Sequence, residues 1–105
     1  MARSKTPTPL AVRSALRTVG DDLTTWRKLR RLTVAQVADR AGVTAQTVAN
    51  LENGKNVGTE TFLRVARALG ILDTIVKAAD PYNSDVGRLR SDETLPVRVR
   101  PKRAQ

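Results

Sequence analysis

The chain has 105 residues, with 19 Lys or Arg against 10 Asp or Glu, a formal charge of +9, and neither Cys nor His. That inventory excludes disulfides, metal sites built on Cys or His, and nucleophilic catalysis of the Cys-His or Ser-His kind, and no cofactor or metal is expected. No apolar run approaches the ~20 residues of a membrane span, and no apolar stretch follows Arg3 and Lys5 to form a secretory signal. A soluble cytoplasmic protein with one small helical core is expected, and its basic excess suits nucleic acid or an acidic surface.

Residues 1–8, polar and rich in Pro and Thr, read as a flexible basic arm. Thr8-Pro9 has the form of an N-cap followed by proline at the first helical position. A helix is expected from Pro9 to about Arg31, with Leu16, Val19, Leu23 and Trp26 at spacings of three and four on one face. Gly20 weakens its middle and Thr18 offers a cap for a restart, so one long helix and two shorter ones both fit. Trp26 reads as a packing residue, because it shares the face of Leu23.

The densest signal is LTVAQVADRAGVTAQTVANLENG, from Leu32 to Gly54. Thr33 and Thr44 are N-caps. Val34, Val37, Ala38 and Ala41 form an apolar stripe, Gly42 supplies the turn, and Val48 and Leu51 face inward from a second helix over about Ala45–Glu52. Asn53-Gly54 stops that helix. Thr59 is expected to cap the next helix, with Phe62, Val65, Ala66 and Leu69 buried and Gly70 at its end. Ile71 to Ala79 then forms a fifth helix whose Ile71, Leu72, Ile75 and Val76 make a candidate dimer surface. Asp80-Pro81 closes a domain over residues 9–80. Residues 81–105 read as a tail, polar and loosely packed to Asp92 and then basic, with Arg98, Arg100, Lys102 and Arg103. Val97 and Val99 alternate with arginines, so a short strand on a partner edge is the alternative to a disordered end.

The Ala38, Gly42, Val48 spacing, with LTTWRKLRRLT before it and FLRVARALGI after it, resembles the helix-turn-helix of the Cro and phage-repressor, or XRE, class over roughly Leu16 to Ile71. The resemblance implies an all-α fold, a compact five-helix bundle with flexible basic ends, and a dimeric transcriptional regulator bound to double-stranded DNA at an inverted repeat. Members of the class carry Gln at the start of the first motif helix to brace the recognition helix against a phosphate; here Val34 stands there. The run ALGILDTIVKAADPYNSDVGRLRSDETLPVRVR is similar to the ends of HipB-like regulators, which implies a second role as an antitoxin beside a HipA-like kinase toxin. Those proteins often place a dimerising strand where this chain reads as helix.

With Val48 and Leu51 inward, Gln46 and Asn50 lie outward one turn apart, and each side-chain amide can bond adenine N6 and N7 in a bidentate pair. Thr44, Ala45 and Thr47 complete the candidate base-reading set, with methyl groups to meet thymine. Arg27, Arg30, Arg31, Arg40, Asn53, Lys55 and Asn56 are the phosphate candidates. Glu52 reads as structural, salt-bridged to Arg27. The adjacent acids Asp21-Asp22 and Asp92-Glu93 look like surface or capping features, so no enzymatic activity is expected. A nonspecific nucleoid-type protein, binding phosphates alone, is the other DNA-binding class.

Overall fold

The computed structural model describes residues 6–94. Residues 1–5 of the expected arm and the basic end from Leu95, including the possible strand at Val97 to Arg100, lie outside the described residues. Among those described, all regular structure is helical: α1 (Leu10–Leu29), α2 (Val34–Ala41), α3 (Ala45–Glu52), α4 (Thr59–Leu69), α5 (Leu72–Ala78), a 3-10 turn (Pro81–Asn83) and α6 (Asp85–Thr94). They divide into two compact units with the boundary between Leu72 and Asp73.

In the first unit α2 packs on α3 and α4, and α1 packs on the same two helices. Leu23, Val37, Val48, Val65 and Leu69 are enclosed, and Ala38, Ala41, Leu51 and Ala66 fill the closer approaches. Burial of each large aliphatic side chain contributes about 1.5–3 kcal/mol. The α2–α3 hairpin is set by its caps. Thr33 Oγ1 accepts from the Gln36 amide at 3.1 Å while Gln36 Oε1 accepts from the Thr33 amide at 2.9 Å, a reciprocal capping box. Thr44 Oγ1 accepts from the Thr47 amide at 3.1 Å at the start of α3.

α1 is one unbroken helix, and Gly20 has a use other than a break. It is buried, and a Cβ built on it would lie 2.6 Å from the Glu52 carbonyl oxygen and 2.7 Å from that of Leu51. The end of α3 therefore rests directly on the α1 backbone, which only glycine permits.

The first four helices finish in one hydrogen-bond pattern, a pair of bonds folding back over the last turn. The pairs are Arg31 N to Lys28 O with Leu32 N to Arg27 O, Gly42 N to Asp39 O with Val43 N to Ala38 O, Gly54 N to Leu51 O with Lys55 N to Asn50 O, and Gly70 N to Arg67 O with Ile71 N to Ala66 O. The motif needs a left-handed residue. Three of the four are glycine, at φ 72°, 77° and 81°; the fourth is Arg31, at φ 58°.

Several local expectations change. Pro9, not Thr8, holds the N-cap position of α1, its carbonyl accepting from Val12 and Arg13, with no side-chain cap. Gly58, not Thr59, precedes α4, so that helix also begins without a side-chain cap. Ile71 is only 6 % exposed and belongs to the core, which removes it from the candidate dimer surface. Leu72 and Ile75 are half-buried, and Val76 is 48 % exposed.

In the second unit the expected loose segment is a helix. Asp80 Oδ1 accepts from the Tyr82 amide at 2.9 Å to start the 3-10 turn, with Pro81 in its first position. Ser84 Oγ then accepts from the Gly87 amide at 3.0 Å and opens α6, where Asp85 pairs with Arg88 one turn on. Ser84-Asp85 is an N-cap signal that the glycine at 87 obscured.

Gly20→Ala separates two effects. Helix propensity alone favours alanine by about 1 kcal/mol, whereas the contact with the α3 carbonyls opposes any Cβ. The variant is expected to unfold at lower denaturant, by more than about 1 kcal/mol net. A gain in stability would show that α1 and α3 are not in backbone contact.

Candidate nucleic-acid interface

The outward face of α3 is built by what its inward face buries. Val48 and Leu51 are enclosed, so Ala45 and Gln46 are exposed and Asn50 is half-exposed. Gln46 Nε2 donates to Asn50 Oδ1 at 2.9 Å, across one helical turn. This bond orients both amides and leaves Gln46 Oε1 as an acceptor and the Asn50 amide group as a donor. Adenine presents the complement, a donor at N6 and an acceptor at N7. Thr44 and Thr47 hydroxyls lie 2.8 Å apart at the start of the helix, so the capping residue and its neighbour share one polar cluster.

The cations expected at phosphates divide into two groups. Arg27 is drawn into the fold. Its Nε donates to Glu52 Oε2 at 2.8 Å, one terminal nitrogen to Glu52 Oε1 at 3.2 Å and the other to the Leu32 carbonyl at 3.1 Å. The two side chains are 15 % and 12 % exposed. Thr24 Oγ1 stands 2.9 Å from Glu52 Oε1 and 3.0 Å from the Gly20 carbonyl, and its one hydrogen serves either. The expected Arg27–Glu52 bridge is therefore present, and it takes Arg27 away from the phosphate set, because a guanidinium with its donors committed on both edges has no free fork to offer.

Hydrogen bonding to Glu52 raises the Arg27 guanidinium above its ordinary range; desolvation opposes this and Coulomb attraction to Glu52 adds to it. A cation raised in the folded state keeps its full stabilising contribution at every pH below the ordinary guanidinium value. The arginine half of the pair therefore persists through neutral and moderately alkaline solution. Removing either partner would leave the other charge under cover, at about 3 kcal/mol.

Arg30 is partly committed. Its Nε donates to the Leu69 carbonyl at 3.0 Å, and its guanidinium carbon lies 5.1 Å from the centre of the Trp26 ring. Trp26, 37 % exposed, packs against that cation. Arg31, Arg40, Asn53, Lys55 and Asn56 remain exposed. Asn53, Lys55 and Asn56 follow directly on α3, so they sit beside the amide pair in the chain. At the start of α2, where Val34 replaces the bracing Gln, the nearby Gln36 is committed to the capping box.

Sequence reasoning passed over Arg13 and Arg17, both exposed on α1 beside the turn at Gly54, and over Arg64, which donates to the Ala41 carbonyl at 3.3 Å. Their i, i+4 spacing on one helix was the available signal for the first two.

The helix-turn-helix family model matches residues 23–76, just over half of the chain, from the second half of α1 into α5. The chain belongs to the helix-turn-helix family. It is of the XRE type, a DNA-binding transcription regulator, and the family is a regulatory one rather than a family of enzymes. No curated protein and no solved structure matches the chain. No helix among the described residues is long and apolar enough to cross a membrane.

Arg31 carries a prediction that the fold makes without reference to DNA. A non-glycine residue in the left-handed region costs about 1–2 kcal/mol, and the other three helix ends avoid this with glycine. Arg31→Gly is expected to raise stability by about 1 kcal/mol in thermal unfolding. An unchanged or lower midpoint would show that the side chain has compensating contacts in the folded state.

Proposed function

We propose that this helix-turn-helix protein is a sequence-specific, dimeric repressor that works by occupancy, covering a promoter and excluding polymerase. The observation that carries the sequence-specific part is the Gln46–Asn50 pair. Two amides held to each other on the exposed face of α3 present a fixed donor and acceptor, which a protein reading only phosphates has no need of. Thr44, Ala45 and Thr47 complete the base-facing set, while Arg31, Arg40, Asn53, Lys55 and Asn56 supply phosphate contacts.

Dimerisation through α5 rests on Ile75 and Val76, since Ile71 is enclosed in the core and Leu72 is half-buried. Two copies related by a twofold axis present their recognition helices to major-groove faces about 34 Å apart, which calls for an inverted repeat. The basic composition contributes the salt-dependent, sequence-independent share of affinity.

Gln46→Ala is expected to weaken binding to the preferred sequence, selected from a random duplex pool, by about 1–3 kcal/mol and to change binding to random duplex much less. Equal losses on both, or none on either, would take Gln46 out of base reading. For the assembly, charged replacements at both Ile75 and Val76 should shift sedimentation from dimer towards monomer. A dimer of undiminished stability in that variant would place the interface on another surface.

A further inference from the structure

The family match begins at residue 23, so the first thirteen residues of α1, 10–22, lie outside it. This part of the helix is held against the turn that ends the recognition helix. Gly54 sits at φ 77°, and a Cβ there would lie 3.0 Å from the Arg17 Cα and 3.2 Å from the Arg17 amide nitrogen. Leu10, Arg13, Ser14 and Arg17, at spacings of three and four, share one helix face. With Gly54 they line an open groove of about 410 Å³.

Arg13 and Arg17 differ from the three arginines of the first unit whose guanidinium groups are tied into the fold. Arg27 is bound to Glu52, Arg30 to the end of α4, and Arg64 to Glu60 and the end of α2. Among the described residues, neither Arg13 nor Arg17 makes an ion pair or a side-chain hydrogen bond, and both are exposed. Like charges one turn apart repel by a few tenths of a kcal/mol. Such a pair gains only when an anion with several charges lies across both. Lys55, also exposed, follows Gly54 directly and keeps the neighbouring chain basic.

We propose that the groove between the first turns of α1 and the Gly54 turn is a second phosphate-binding site, in which Arg13 and Arg17 hold the DNA backbone beyond the stretch read by α3. The inference rests on the DNA-binding reading above and adds a footprint to it. A recognition helix docked in the major groove brings the turn after it towards the strand at the groove edge, and α1 extends from that turn with both guanidinium groups on the groove face. Arginine suits the role because its planar fork bonds phosphate oxygens in pairs. These contacts read no bases, so they add affinity and salt dependence without changing sequence preference.

The test uses the full chain and two duplexes carrying its selected preferred sequence, one trimmed to the stretch facing α3 and one extended on both sides. Wild type and the double variant Arg13→Gln with Arg17→Gln are titrated over a series of salt concentrations. On the extended duplex the variant should lose roughly 3.6 from the slope of log dimer affinity against log salt, two contacts in each protomer at about 0.9 each. On the trimmed duplex the two proteins should match, and the preferred sequence should not change. The charge-keeping variant Arg13→Lys with Arg17→Lys should retain most of the slope. Wild-type slope in the glutamine variant on the extended duplex overturns the proposal, and so does an equal loss in the lysine variant, which would point to a structural effect. Failure of the wild type to bind any duplex would instead sink the DNA-binding reading itself.

Discussion

The contact between α1 and the end of α3 is the constraint on which the rest of the structure depends. An isolated eight-residue helix does not form stably in water, because nucleation is unfavourable and too few bonds follow it. α3 is such a helix. It acquires order and direction from Val48 and Leu51 below and from α1 at its end, where the Leu51 and Glu52 carbonyls lie on Gly20. The Arg27–Glu52 pair, with Thr24 beside it, locks the same place by charge. Glu52 is the last residue of α3, so its carboxylate fixes the rotation of the helix as well as its position. That rotation decides whether Gln46 and Asn50 face outward.

Much of this was legible in the sequence, and the reasons are local. Thr33, Gly42, Thr44 and Asn53-Gly54 are caps and stops whose chemistry acts within four residues, and all behave as expected. Val37, Ala38, Ala41, Val48 and Leu51 are enclosed as helical period alone predicts, while Val34, in the first turn of α2, is only half-buried. Glu52 is assigned a structural role from its position, facing away from phosphate, together with the resemblance to the XRE class. The candidate amide pair was placed correctly on one face, one turn apart, though the bond between its members is a property of side-chain conformation that spacing does not determine.

What was not legible depends on contacts distant in the chain. Gly20 looks like a weak point of a helix until the α3 carbonyls 31 and 32 residues later are placed against it. Ile71 fits an apolar face of α5 by period, but its amide belongs to the closing turn of α4 and its side chain to the core. α6 was missed for the opposite reason. Its start signal, Ser84 with Asp85, is local and was outweighed by Gly87 and by high polarity, neither of which prevents a helix once its first turn is capped.

The distribution of arginines shows why net charge is a poor count of DNA contacts in this protein. Arg30 donates to the carbonyl of Leu69, the last residue of α4, and Arg64 to that of Ala41, the last residue of α2. Both satisfy acceptors that a helix end leaves open, with a cation at the negative end of the helix dipole. Arg27 donates to the carbonyl of Leu32, in the turn between α1 and α2, while neutralising Glu52. Part of the cationic inventory is thus committed within the fold. Only the cations whose donors stay free can exchange counterions for phosphate. The salt dependence of binding should accordingly follow the number of free guanidinium and ammonium groups around α3 and along the first half of α1, a smaller number than composition suggests.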